Sequence, residues 1–299
     1  MIGEYEHIPV MVKEVISFLN INRKGIFMDC TVGLGGHASQ ILKNSMGAYL
    51  IGFDKDSQSL SIAQKRLQSF SNRVKLYNLD FKNSLDLDLD FSAVRGVLFD
   101  LGLSSFQLNS SERGFSFNLE GPLDMRMDLK EKLTAYQIIN KYSEKELIRI
   151  FTQYGELKRA RKLAREIVVQ RKLKKIEKTA ELKETVERVI PWRPRKGKTH
   201  PAAKVFQALR IEVNQELKNF SRFLEQLIER LSSGARIVAI SFHSLEDRII
   251  KHTFLKLAKS NEKAPLIKIL TKKPITPTEE EVAQNFRARS AKLRAAERI

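Results

Sequence analysis

The chain opens on short apolar runs separated by stretches in which apolar residues recur every three to four positions. Gly25-Ile-Phe-Met runs into Asp29, and Ala48-Tyr-Leu-Ile-Gly-Phe into Asp54. Arg73-Val-Lys-Leu-Tyr-Asn78 follows, and Arg95-Gly-Val-Leu-Phe runs into Asp100. Short apolar runs with polar flanks are the pattern of buried strands. Between the second and third run, Leu60, Ala63 and Leu67 fall at helical spacing. Strands alternating with helices predict an α/β fold, a doubly wound parallel sheet that binds ligands at the carboxyl ends of its strands.

The alternation stops after the fourth run. Loop-rich sequence comes first, with Arg113-Gly-Phe-Ser-Phe and Gly121-Pro-Leu-Asp-Met-Arg-Met-Asp. Period-3.6 patterning then predicts helices over 135–140, 144–154, 156–172 and 179–190, the third carrying the stripe Leu157, Ala160, Ala164, Ile167 and Val168. Pro191-Trp-Arg-Pro-Arg-Lys-Gly-Lys-Thr-His-Pro201 reads as a loop. Helical patterning resumes over 203–231, with Gly234 expected as its C-terminal cap. A fifth strand over 236–241, a helix over 245–258 and a last strand over 266–270 complete the reading. The expected organisation is a sheet domain of residues 1–107 and 203–299, interrupted by a mainly helical insertion of residues 108–202. The basic stretch from Asn285 to Arg294 is either a solvated surface or an RNA contact.

Charge narrows the partner. Lys and Arg number 53 against 35 Asp and Glu, a net charge of +18, and 42% of the 299 residues are hydrophobic. The excess is concentrated: residues 158–198 hold 16 basic and 5 acidic side chains. Clustered positive charge points to a polyanion, and to nucleic acid rather than membrane, because no segment has the pattern of a lipid-seeking anchor. No targeting signal or long apolar span is legible, so a cytoplasmic protein is expected. Cys30 is the one cysteine. It excludes an intrachain disulfide and a Cys-rich zinc site, and reads as a small buried residue; no metal is expected.

The first strand leads into Asp29-Cys-Thr31-Val-Gly33-Leu-Gly35-Gly36-His37-Ala38. Glycines here allow positive φ and close backbone approach, and the helix start presents free N–H groups. Asp54 lies 19 residues beyond Gly35, where a carboxylate accepts hydrogen bonds from ribose hydroxyls. The pattern suits NAD, FAD or S-adenosylmethionine. Asp29 would repel a pyrophosphate and tolerate a sulfonium and an ammonium, which favours S-adenosylmethionine. Asp100-Leu-Gly-Leu-Ser-Ser places another acid and a small-residue loop at the same sheet edge. Acceptors there, Asp100 or the carbonyls after it, suit methylation of an exocyclic base amine, whose delocalised lone pair must be freed as the methyl arrives.

The strings Asp29-x-Thr-x-Gly-x-Gly-Gly-His37, Asp100-Leu-Gly-Leu-Ser-Ser-Phe-Gln107, Arg113-Gly-Phe-Ser-Phe, Gly121-Pro-Leu-Asp-Met-Arg-Met-Asp128, His200-Pro-Ala, Phe206-Gln-Ala-Leu-Arg-Ile-Glu-Val-Asn214 and Ile240-Ser-Phe-His-Ser-Leu-Glu-Asp-Arg248 occur in this order. Together they resemble the bacterial small-subunit (16S) ribosomal RNA cytosine N4-methyltransferases, the RsmH (formerly MraW) family. Phe106 stands where that family usually has proline and Asn109 where it has aspartate. The resemblance implies a Rossmann-like class I methyltransferase sheet with an inserted RNA-recognition domain. It also implies transfer of a methyl from S-adenosylmethionine to the N4 amine of a cytidine in the decoding region. The substrate would be the small-subunit ribosomal RNA or a ribosomal particle. Cofactor contacts fall by resemblance on Gly35, Gly36 and His37 at the methionine end, Asp54 at the ribose, Phe81 at the adenine, and Asp100 and Gln107. From its position alone Phe81 reads as core. Arg113, Asp124, Arg126 and His243 are candidate substrate contacts, His243 alternatively a structural hydrogen-bonder, and Asp100 is the candidate catalytic residue. The competing readings are an S-adenosylmethionine-dependent methyltransferase acting on another RNA, a non-catalytic RNA-binding protein on the same fold, and an NAD-dependent oxidoreductase.

Overall fold

A computed structural model describes residues 8–194, 199–259 and 264–299. His7, and Arg195, Lys196 and Lys198 of the basic loop, lie outside the described residues. The chain forms two compact units, Met1–Ser104 with Asn219–Ile299, and Ser105–Lys218.

In chain order the first unit begins with α1 (Val12–Leu19), β1 (Gly25–Asp29), α2 (Gly36–Asn44), β2 (Ala48–Asp54), α3 (Ser57–Arg66), β3 (Val74–Asn78) and β4 (Val94–Asp100). The second unit holds α4 (Ser105–Asn109), α5 (Ala135–Lys141), α6 (Glu144–Gln153), α7 (Ala160–Leu173), α8 (Thr179–Val189) and α9 (Pro201–Asn214). The first unit is completed by α10 (Phe220–Arg230), β5 (Arg236–Ser241), α11 (Ser244–Ala258), β6 (Ile267–Ile269), α12 (Glu279–Gln284) and β7 (Lys292–Arg298).

The strands make one seven-stranded sheet in the order β3-β2-β1-β4-β5-β7-β6. β1 to β5 pair in parallel, and β7 runs antiparallel to both of its neighbours. This is the doubly wound, mostly parallel sheet that the alternation of strands and helices predicts. Alternation along each strand divides the core into two layers. Ile51 and Phe53, Val97 and Phe99, and Ile237 and Ala239 face α10 and α11 residues such as Phe220, Phe223 and Phe254. Leu50, Leu98, Val238 and Ile240 face the opposite layer with Val15, Leu19, Ile41 and Leu42.

Four expectations are corrected. The basic stretch from Asn285 is built into the sheet rather than simply solvated: Ala288, Ala291 and Leu293 are buried while Phe286 and Arg289 stay exposed, and β7, not β6, is the last strand. Its alanines are too weakly apolar to stand out as a strand. The helix expected over 203–231 is two helices, because Gln215 (φ 49°) and Asn219 (φ 60°) take the left-handed conformation between them. Gly234 is not a helix cap. α10 ends at Arg230, and Gly234 (φ 84°) turns the chain into β5 and donates its N–H to the Arg298 carbonyl. Finally, the boundary between the units falls after Lys218 rather than after residue 202, because α9 packs on α5, α6 and α8. Val205, Ala208 and Leu209 are buried there in the helical core with Ile138, Leu147, Phe151 and Val186. α5 and α6 start at capping boxes, Thr134 with Gln137 and Ser143 with Glu146.

Candidate active site

The turn after β1 is built by its own backbone and two carboxylates. Asp29 is 1% exposed, and its Oδ1 accepts the Thr31 N–H at 3.1 Å. Gly33 (φ 53°) and Gly35 (φ 78°) both take the left-handed conformation, and Gly35 is the N-cap of α2. At Gly35 a Cβ would also lie 3.3 Å from the Ala63 backbone of α3, so the turn requires glycine on two counts. His37 therefore sits in the first turn of α2, beside the end of β1.

Asp54 closes the turn from the next strand. Its Oδ2 accepts the Gly33 N–H at 2.7 Å and its Oδ1 the Asp56 N–H at 2.8 Å. Burial pushes this carboxyl up to about 6 despite those bonds. Asp56 in turn caps α3 by accepting from the Gln58 and Ser59 N–H groups.

The end of β4 completes the cluster. Thr31 Oγ1 accepts the Asp100 N–H at 2.7 Å, which fixes the backbone from which the Asp100 carboxylate projects. Asp100 Oδ2 lies 3.4 Å from His37 Nε2, an ion-pair distance, with His37 only 5% exposed. Beyond that pair, neither His37 nitrogen has a hydrogen-bond partner among the described residues, and neither does Asp100 Oδ1 or Asp29 Oδ2. Burial drives the Asp29 carboxyl up to about 7, His37 being the largest influence that opposes it. Burial also pulls His37 down, but the Asp100 and Asp29 carboxylates outweigh this and its pKa ends above the ordinary value. Burial raises the Cys30 thiol, so it stays protonated and unreactive. Orphaned buried acceptors next to an open glycine turn are costly alone and suit a ligand that brings cations and N–H donors. These acceptors fit the ammonium and sulfonium of S-adenosylmethionine.

Phe81 follows β3 and packs edge-on against Phe223, Phe99 and Phe220 at ring distances of 5.2, 5.5 and 6.0 Å. It is partly buried, which accounts for the reading as core. The structure thus brings Gly35, Gly36, His37, Asp54 and Asp100 to one strand edge. Thr31 was legible only as a neighbour of the glycines; its bond to Asp100 joins positions 69 residues apart and leaves no local trace.

His243 stands after β5 as the N-cap of α11. Its Nδ1 accepts the Glu246 N–H, and Glu246 Oε2 accepts from the Phe242 and His243 N–H groups. These bonds use the Nδ1 and backbone N–H of His243, while its Nε2 is buried without a hydrogen-bond partner among the described residues. The other candidates lie in the second unit. Gln107 is 4% exposed on α4. Arg113 Nη2 donates to the Arg126 and Met127 carbonyls, and Arg126 grips Asp124 with both Nε (2.9 Å) and Nη2 (2.7 Å). These three side chains stitch the loop over 113–131 together.

The MraW methylase family model matches residues 4–299. A protein of Sulfurihydrogenibium sp. named ribosomal RNA small subunit methyltransferase H is 49% identical, covering 98% of this chain and 99% of its own. Proteins of the same name from Caldicellulosiruptor saccharolyticus and Thermotoga neapolitana are 47% and 48% identical, covering 99% and 98% of this chain and 100% and 96% of theirs. Over that whole length, and with an S-adenosylmethionine-compatible turn at the strand edge, this chain belongs to the MraW methylase family.

Proposed function

We propose that this S-adenosylmethionine-dependent methyltransferase acts on the exocyclic N4 amine of a cytidine in the decoding region of small-subunit (16S) ribosomal RNA. The observation that carries the reading is Asp100 Oδ1, a buried carboxylate oxygen without a partner at the edge where the cofactor turn opens. With S-adenosylmethionine bound, an electrophilic methyl group is available there. By family resemblance Gly35, Gly36 and His37 would hold the methionine end, Asp54 the ribose and Phe81 the adenine, with Gln107 in the same set. Asp100 Oδ1, with the carbonyls of the loop after it, would accept hydrogen bonds from the amine and favour the rehybridised nitrogen. As the N–CH₃ bond forms the S–CH₃ bond breaks, the thioether leaves, and the Asp100 carboxylate takes up the displaced proton. The target cytosine has to leave its stack to reach this edge. The loop built on Arg113, Asp124 and Arg126 in the second unit, and His243 in the first, are each candidate contacts of the RNA.

Asp54→Ala tests the cofactor half of the reading. Each charge-assisted bond to the ribose is worth about 1.5–3 kcal/mol, so calorimetry should show cofactor affinity reduced by at least tenfold. Unchanged affinity removes Asp54 from the site.

The helical insertion supplies the RNA contacts. Affinity should fall with salt by about 0.7 log units per log unit of salt for each single-strand phosphate contact and about 0.9 for each duplex contact. Charge reversal at Arg193, with Arg195 and Lys196 alongside it, should flatten that slope and leave cofactor binding intact. A slope equal to wild type makes the cluster a solvated surface. The direct test of the function is transfer of tritiated methyl to small subunits lacking the modification, followed by mapping of the labelled nucleoside.

A further inference from the structure

Three segments that the chemistry above does not use meet in the second unit. Phe117, from the Arg113-Gly-Phe-Ser-Phe string, stacks on His200 of the His-Pro-Ala string with ring centroids 5.2 Å apart and planes 13° from parallel. Trp192, from the proline-rich loop, meets the same imidazole edge to face at 4.6 Å. Phe206 of α9 is 4% exposed and closes the cluster on its inner side, while Phe117, Trp192 and His200 remain half-buried.

The imidazole is held rather than loosely packed. His200 Nδ1 accepts the Ala202 N–H at 3.1 Å, so its proton is on Nε2, which faces Glu187 Oε1 at 3.2 Å. The indole is not satisfied: Trp192 Nε1 is buried and has no hydrogen-bond partner among the described residues. Core tryptophans normally find one. Lys183 Nζ lies 5.9 Å from the Phe117 ring centre, and Arg193 is exposed beside Trp192. The surrounding sequence, residues 158–198, carries the 16 basic against 5 acidic side chains. Rings with one unsatisfied donor, set in positive charge, match a polyanion whose π faces are accessible, which describes single-stranded nucleic acid and not a duplex.

We propose that Phe117, His200 and Trp192 form a stacking platform for an unpaired base of the substrate RNA. This rests on the RNA reading of the preceding section and adds a contact separate from the methylated nucleotide's site at the sheet edge.

Trp192 is the chain's single tryptophan, so its fluorescence reports on this cluster alone. Titration of the full chain with an unstructured oligoribonucleotide should quench the emission saturably. An abasic oligomer of equal phosphate number should bind without quenching. Phe117→Leu, which keeps an apolar side chain, should weaken oligoribonucleotide binding by about 5-fold or more, as expected for one lost base–aromatic stack. Its circular dichroism and S-adenosylmethionine affinity should match wild type. If a labelled oligoribonucleotide binds with unchanged tryptophan emission and Phe117→Leu binds it as wild type does, the platform is overturned and the RNA reading stands. If neither the oligomer nor small-subunit RNA binds, both fall. Equal quenching by an acidic peptide would assign the cluster to a protein partner instead.

Discussion

Replacing Asp100 by asparagine should slow single-turnover methyl transfer by about 100- to 1,000-fold, the loss of about 2.7–4 kcal/mol that follows removal of one transition-state contact. The substitution keeps the shape of the side chain and leaves the Asp100 N–H on Thr31 Oγ1, because that bond comes from the backbone. What changes is the oxygen facing the amine. An amide has no charge to stabilise the developing positive nitrogen, and its NH₂ can occupy the place of the unpartnered acceptor. His37 also loses the carboxylate that, with Asp29, raises its pKa. The rate is measured at saturating cofactor and saturating RNA, since Asp100 is assigned to the cofactor as well. A wild-type rate under those conditions leaves Asp100 with a binding role only.

Asp29→Asn should stabilise the protein, and the gain should depend on pH. The folded state raises this carboxyl from 3.8 to about 7. Below the lower value both states are protonated and the group contributes nothing. Between the two values the unfolded chain releases the proton while the folded chain keeps it, so stability falls with rising pH at about 1.4 kcal/mol per pH unit. Above about 7 both states are ionised and the cost is constant, up to about 4 kcal/mol. The asparagine variant escapes it, while its side-chain carbonyl still accepts the Thr31 N–H. Thermal melting of the cofactor-free protein should show a small gain in Tm near pH 4.5 and the full gain at pH 8. Equal gains at both values would mean that Asp29 is ionised throughout, held so by His37.

The sheet was legible because its first four strands are dense in Val, Ile, Leu and Phe, and three of them end in acids that mark the ligand edge. The glycine turn, Asp54 and Asp100 follow from that pattern without any relative. What the pattern missed is carried by long-range partners. The alanines of β7 become a strand only between β5 and β6. The break at Gln215 and Asn219 interrupts an otherwise continuous helical periodicity, since neither residue is a strong helix breaker. Arg113 and Arg126 look like anion-binding side chains in sequence, yet they spend donors on neighbouring carbonyls and on Asp124. Phe81 is core by neighbourhood and cofactor contact by resemblance, and its half-buried edge-on packing is compatible with both.

The position of β7 has a consequence for how the chain is made. β5 is buried along five of its six residues and carries Ile237-Val-Ala-Ile240, a segment of high β-propensity and no charge. About 50 residues separate its end at Ser241 from Lys292, where β7 begins. At about 5–20 residues per second of synthesis, β5 waits roughly 3–10 seconds with one edge unpaired. An exposed apolar edge is a template for pairing with another chain, so the nascent protein is most at risk of aggregation in this interval. Any truncation that removes Lys292–Arg298 makes that transient state permanent.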